Sequence, residues 1–160
     1  MSAPRVYTLV IPRDGNRVLL GMKKRGFGTG YWNGFGGKVE PGEGIRQAAH
    51  RELREEANVD VKKMEVVGEI TFVFDDQPVP WKVHVFEGKE LVGNPIETEE
   101  MRPAWFDCED IPFDCMWADD KHWYPLFLAG KRFVGTFNFT NTHQLENFYV
   151  QELDQIDQLS

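Results

Sequence analysis

Apolar and polar positions alternate through most of this chain and change to a helical rhythm in two places. Arg5 to Ile11 is β-branched and aromatic and predicts a strand. Pro12 to Asn16 is a turn cluster, and Arg17 to Lys24 predicts a returning strand, so the opening reads as a hairpin. Met64 to Phe74 places Val66, Gly68, Ile70, Phe72 and Phe74 on one face, and Trp81 to Phe86 follows a turn at Asp75 to Pro80 to give a second hairpin. Gly88 to Thr98 reads as a polar loop, Met101 to Phe106 as a strand, and Ile111 to Phe113 as another loop. Arg132 to Thr140 and Leu145 to Leu153 close the chain as two alternating strands.

The helical rhythm appears first at Ile45 to Ala57, where Ile45, Ala48, Ala49 and Leu53 form a modest apolar stripe. It appears again from Asp119 or Asp120, either able to cap, to about Leu128, with Trp123, Leu126 and Phe127 inward. No linker, repeat or low-complexity stretch interrupts the pattern. A single mixed α/β domain over residues 1–160, with its sheet between helices, is the expectation.

The first helix is unusual in its charges. Glu52, Glu55 and Glu56 fall within an arc of roughly 100°, where like charges repel. A solvated acidic face is the ordinary reading of such a run. The loop ahead of it alters the balance, because Gly34, Gly36, Gly37, Gly42 and Gly44 crowd into a few residues. Glycines let a backbone approach a ligand closely, and clustered hard-oxygen donors suit Mg²⁺ or Mn²⁺. Lys23, Lys24 and Arg25 stand just upstream and suit a phosphate chain or simply aid solubility.

Composition narrows the partners. The chain is 41% hydrophobic and 28% charged, with a formal net charge of −8. That charge disfavours a nucleic-acid polymer, and an acidic phosphate-handling protein needs a divalent cation between the two. No apolar run reaches membrane length. Met1 to Tyr7 does not read as a signal peptide. Cys108 and Cys115 form neither a disulfide framework nor a CxxC pair, which points to a reducing compartment. The four histidines lack ligand spacing and read as surface or packed residues.

Gly37, Glu43, Arg51-Glu52-Leu53, Glu55-Glu56, Asn58 and Val59, at their spacing over residues 37–59, resemble the Nudix box. One position departs: the family usually has Gly where this chain has Asn58. Asn tolerates the left-handed conformation that ends helices. The resemblance implies an α/β/α sandwich with a mixed central sheet. It also implies hydrolysis of a nucleoside polyphosphate with Mg²⁺, for which Mn²⁺ can substitute, held by Glu52, Glu55, Glu56, Glu100 and the Gly36 carbonyl. Glu56 or Glu100 would be the general base, Arg51 would orient the box carboxylates and Glu43 would position the loop. Lys23 would offset triphosphate charge.

Beyond the box, Lys23 to Gly28, Trp32 to Lys38, Glu100 to Pro103 and Met116 to Asp120 resemble the branch of the family that acts on oxidised purine nucleoside triphosphates. Its implied products are the monophosphate and pyrophosphate. The implied substrates are 8-oxo-dGTP and 2-oxo-dATP, with O6-methyl-dGTP and N6-methyl-dATP as further candidates. Phe27 and Trp117 offer faces for base stacking, or serve as core. Asp119 and Asp120 cannot both ionise cheaply in an apolar pocket, so one charged and one neutral acid would match a purine edge. Moving their proton would admit a second tautomeric pattern. Asn33 suits the same edge, and the resemblance extends the pocket to Thr8, Phe35, Gly36, Gly37, Lys38, Phe72, Phe74 and Ala118. Trp81 departs from it, since a smaller flexible residue is implied there.

The expected protein is thus a monomer in the cytoplasm, with the mitochondrial matrix and nucleus as further compartments. It would act on small nucleotides and bind neither membrane nor polymer. A Nudix pyrophosphohydrolase for another nucleotide and a catalytically silent nucleotide-binding module are the rival readings.

Overall fold

The computed structural model describes residues 3–154. Met1 and Ser2 of the stretch read against a signal peptide, and 155–160 of the expected domain, lie outside the described residues. The chain runs β1 (Arg5–Asp14), β2 (Arg17–Lys23), β3 (Trp32–Asn33), α1 (Ile45–Ala57), β4 (Asp60–Phe74), β5 (Trp81–Val92), β6 (Met101–Asp107), a 3-10 turn at Phe113–Cys115, α2 (Asp120–Leu128), β7 (Arg132–Thr140) and β8 (Gln144–Leu153). The strands form a mixed sheet in the order β3-β2-β1-β5-β4-β7-β8, with β6 on β2.

The opening hairpin is smaller than the pattern implies. β1 and β2 pair only at Arg13↔Val18 and Asp14↔Arg17. The rest of β1 lies parallel to β5, from Arg5↔Trp81 to Pro12↔Gly88, and β2 pairs along its length with β6. Alternation reports that a strand has two faces, and not which strand lies beside it. β4 and β5 form the expected second hairpin but run further, from Asp60 and to Val92. Buried Val61 and Met64 start β4 early, and Val61 packs against Gly88, which continues β5 where a polar loop was expected.

Successive residues of β1 feed two cores. Val10 joins Leu19, Phe35, Ala49, Leu53 and Phe86 beneath α1. Ile11 joins Ile70, Val85, Trp123, Phe127, Phe133 and Phe137 beneath α2. A buried side chain of this kind contributes roughly 1.5–3 kcal/mol. In α2, Tyr124 is fully buried with Trp123 and Phe127, while Leu126 is only partly covered. In α1, Ile45 is exposed at the first turn. Glu56, three residues after Leu53, occupies the buried stripe instead.

Candidate active site

Residues 35–39 lie along β1 as a further strand-like rung. Thr8 N–H donates to Gly37 O at 2.9 Å, Phe35 N–H to Val10 O at 2.8 Å, and Val39 N–H to Val6 O at 2.9 Å. The loop can approach this closely only without side chains. A Cβ on Gly36 would sit 1.8 Å from Thr8 O, and one on Gly37 would sit 2.6 Å from Glu52 Oε1. These glycines therefore bring β1, the loop and the acidic face of α1 together.

Helix α1 is closed by Asn58 at φ 59° and ψ 32°, whose N–H donates to Arg54 O. The departure from glycine thus occupies the left-handed cap. Within the helix, Arg51 holds Glu43 with two hydrogen bonds, Nε to Oε2 at 2.7 Å and Nη2 to Oε1 at 3.0 Å. Its Nη1 reaches Glu52 Oε1 at 2.8 Å and Glu55 Oε2 at 3.3 Å, and its Nη2 donates to Lys38 O. The hydrogen bond from Arg51, with that from the Glu40 N–H, holds the Glu43 carboxyl down to about 2. Burial pushes Glu52 up despite Arg51.

Glu56 is buried and its Oε1 accepts the Gly36 N–H at 2.8 Å. Burial pushes its carboxyl up to about 8, helped by the charges of Glu52 and Glu100 and opposed chiefly by Lys23. Lys23 Nζ stands 3.7 Å from Glu56 Oε2 and 3.8 Å from Glu100 Oε2. Glu100 is also gripped by Arg25 through Nε at 3.0 Å and Nη2 at 2.5 Å. That hydrogen bond is the main reason its carboxyl lies below the ordinary range.

Next to this polar end a cavity of about 330 Å³ opens between β1, β4, β5 and α2. Thr8, Lys23, Phe27, Asn33, Gly36, Gly37, Glu56, Phe72, Phe74, Trp117, Asp119 and Asp120 are on its wall. Tyr7, Tyr31, Trp81 and Phe139 also line it. Trp81 stood out in the sequence only as a departure, and Tyr7, Tyr31 and Phe139 gave no local sign, being aromatics in strands and a loop.

Phe35, Lys38 and Ala118 are not on the wall. Phe35 is fully buried beneath α1, and Lys38 pairs with Tyr7 at the edge of β1 while its carbonyl serves Arg51. Ala118 lines a second hollow with Lys121, His122 and Phe148. In each case strand or turn alternation turns the residue away from its wall-lining neighbours.

Asp119 and Asp120 are each 2% exposed. Neither caps α2 with its side chain. Asp119 Oδ2 instead accepts the Trp123 Nε1–H at 2.9 Å. Burial pushes Asp119 up to about 6, and burial together with the Asp119 charge pushes Asp120 well above the usual carboxylate range. Both acids of the pair are therefore raised, which favours holding one proton between them. Trp117 stacks on Phe27 at 4.9 Å and on His143 at 4.7 Å, and Tyr31 meets it edge-on at 5.3 Å. His143 is thus an exposed histidine that backs an aromatic wall. Asn33 Oδ1 accepts the Gly34 N–H at 2.8 Å, which fixes the orientation of its amide.

Residues 1–127 match the NUDIX domain model. The chain belongs to the Nudix family. It is 48% identical to the oxidized purine nucleoside triphosphate hydrolase of Mus musculus, over 96% of this chain and 99% of that protein. To the protein of the same description from Danio rerio it is 47% identical, over 98% of this chain and 100% of the relative. The crystal structure of the Mutator MutT protein from Bacillus halodurans superposes with a TM-score of 0.81 at 29% identity, covering 92% of this chain and 97% of that one. No helix of this Nudix protein, among the described residues, is long and apolar enough to cross a membrane.

Nudix hydrolases generally need a divalent metal ion. Among the described residues, no group of three or more Asp, Glu, His or Cys side chains is gathered closely enough to hold one as it stands. The reason is electrostatic: like carboxylates separate unless a cation joins them. Here Arg51 engages Glu52 and Glu55, while Lys23 and Arg25 engage Glu56 and Glu100. The donor chemistry nevertheless fits a hard cation. Half-buried Glu52 and buried Glu56 are carboxylates raised by desolvation, and the Lys23 ammonium already stands near Glu56 and Glu100.

Proposed function

We propose that this protein hydrolyses oxidised purine nucleoside triphosphates, 8-oxo-dGTP and 2-oxo-dATP first among them, to the monophosphate and pyrophosphate, and so sanitises the nucleotide pool. The observation that carries the reading is one cavity with two chemically different sets of polar groups. Its wall carries Glu56 with Gly36 and Lys23 beside it, a separate pair of acids, Asp119 and Asp120, and several aromatic side chains. A purine triphosphate has the matching division into a flat edge-bearing base and a charged tail. The mouse and zebrafish relatives bear names that state the same chemistry.

In this reading the base takes the place that exposed Phe27 holds on the face of Trp117, with His143 behind that ring, and Asn33, Asp119 and Asp120 take its edge. The ionised acid accepts from a ring N–H or amino group, and the protonated acid donates to an oxo group. Lys23 offsets charge on the triphosphate. Arg51 keeps Glu52 and Glu55 oriented through charge-assisted bonds. Glu52, Glu55, Glu56, Glu100 and the Gly36 carbonyl would hold Mg²⁺, which supplies a Lewis acid for phosphate oxygens and lowers the pKa of water. Glu56 takes the proton of the water that attacks the β phosphorus. Glu56 is preferred to Glu100 because Arg25 already holds the Glu100 carboxylate through two hydrogen bonds. Cys108 and Cys115 are both free thiols, which agrees with a monomer working in the reducing cytoplasm, mitochondrial matrix or nucleus.

The test is pyrophosphate release with Mg²⁺ across 8-oxo-dGTP, 2-oxo-dATP, O6-methyl-dGTP, N6-methyl-dATP, dGTP and ADP-ribose. The oxidised purines should exceed dGTP in kcat/KM by about tenfold or more, the scale on which a site with buried polar groups discriminates. A preference for ADP-ribose would overturn the reading.

A further inference from the structure

Trp81 opens β5, in register with Arg5 of β1 and Phe72 of β4. Its ring packs against Tyr7 at 4.7 Å and meets Phe74 and Phe27 edge-on at 4.9 and 5.3 Å. These contacts fix the indole as part of the cavity wall. Its Nε1 is buried and has no hydrogen-bond partner among the described residues. An indole N–H can only donate, and a buried donor left without an acceptor is costly. Trp123 shows the contrasting case, since its equally buried N–H is satisfied by Asp119. A phenylalanine at position 81 would supply apolar wall without an orphaned donor, so the indole calls for an acceptor on the ligand.

We infer that the Trp81 Nε1–H is a specificity-determining donor that reads the exocyclic oxo group of an oxidised purine. The inference rests on the function proposed above. Oxidation at C8 leaves the N1–H and N2–H edge of guanine unchanged, so acids that read that edge cannot by themselves separate 8-oxoguanine from guanine. Oxidation does replace a C–H, which accepts nothing, by a C=O, which accepts strongly. A donor brought to that position would be satisfied by the oxidised base and orphaned by its parent. Thr8 Oγ1 and Asp120 Oδ2, the other buried atoms on this wall without a partner, can both accept, and so do not impose this asymmetry.

The deciding measurement is the indole N–H spectrum of ¹⁵N-labelled protein, assigned by triple resonance and titrated with 8-oxo-dGMP and with dGMP. The Trp81 proton should move downfield with 8-oxo-dGMP and stay in place with dGMP, while Trp117 responds to both. In kinetics, Trp81→Phe should lower the ratio of kcat/KM for 8-oxo-dGTP over dGTP by about tenfold, with the loss falling on 8-oxo-dGTP. A Trp81 resonance that ignores saturating 8-oxo-dGMP while Trp117 shifts overturns the assignment and leaves the proposed function standing. So does an unchanged ratio in a folded variant. If 8-oxo-dGMP moves no indole and 8-oxo-dGTP is not hydrolysed, the proposed function falls and the assignment falls with it. Should Trp81→Phe fail to fold, the titration of the unaltered protein decides alone.

Discussion

Glu52 and Glu56 on α1 and Asp119 and Asp120 at the start of α2 are both acid pairs raised by burial, yet they are surrounded differently. The glutamates sit among cations and a backbone donor: Arg51 on Glu52, and Lys23 and the Gly36 N–H on Glu56. The aspartates have no cation among their partners within the described residues; Asp119 accepts from the Trp123 indole, and the two acids lie side by side. A raised carboxyl with positive charge beside it gives up its proton when more positive charge arrives. A pair without it keeps a proton and works through the direction of hydrogen bonds. In the proposed function these surroundings would give one cavity a charge-binding end and an edge-reading end.

The largest effect should come from neutralising the charge-binding end. Glu56→Gln keeps the size of the side chain and its acceptor for Gly36 N–H but removes the base, and should lower kcat by 10²-fold or more. Pyrophosphate release under saturating substrate measures this. Turnover near that of the parent would show that the two ends are not divided by charge in this way.

The same substitution type at the other end should be unequal. Asp120 is raised by the Asp119 charge as well as by burial, so we place the shared proton on it, and Asp120→Asn then replaces one hydrogen-bond donor by another. Asp119→Asn removes the ionised acceptor that serves Trp123 and the base. A loss of kcat/KM of about 10- to 100-fold is expected for Asp119→Asn and a clearly smaller one for Asp120→Asn, on the scale of one unsatisfied buried group. Equal losses would remove the assignment of the shared proton.

How far this division could be read in the sequence depends on the distances involved. The box announces itself because its glycines, its acids and Arg51 are neighbours along one loop and one helix, where spacing is geometry. Asn58 was legible as a cap for the same reason. The strand partners of β1 and β2 were not, because register across Arg5↔Trp81 or Lys23↔Met101 is a matter of long-range packing. The resemblance placed Phe35, Lys38 and Ala118 in the pocket as neighbours of Gly36, Gly37 and Asp119. Alternation turns them elsewhere. Glu56 was legible as an acid but not as a buried one, since its place in the Leu53 stripe shows only once α1 is docked. The grip of Arg25 on Glu100 joins residues 75 apart, and no local pattern encodes it.

A smaller effect concerns stability. Asp119 titrates at about 6 in the folded protein and Asp120 higher still, against an ordinary value of about 3.9. Across that interval the folded state holds more protons than the unfolded state, so the pair makes stability fall as pH rises, and the cost persists above it. Asp120→Asn should therefore stabilise the protein at pH 8, by about 1–3 kcal/mol, and change little at pH 4. Urea unfolding at the two pH values checks this. Glu56→Gln, whose parent group is also raised, should follow the same sign in the metal-free protein.

The smallest expected effect is also the cleanest separation of the two ends. Raising ionic strength from about 0.1 to 1 M shortens the screening length from about 10 to 3 Å. Binding of 8-oxo-2′-deoxyguanosine, which has no phosphate, engages only the edge-reading end, where one neutral and one desolvated acid are out of reach of salt. Its dissociation constant should change by less than about twofold. The Mg²⁺-dependent part of nucleotide binding engages Lys23 and partly exposed Glu100, and should weaken several-fold over the same range. Calorimetry of nucleoside and nucleotide at both salt concentrations compares the two directly. A nucleoside affinity as salt-sensitive as that of the nucleotide would mean that Asp119 and Asp120 meet the base as net charge, and not as a directed donor and acceptor.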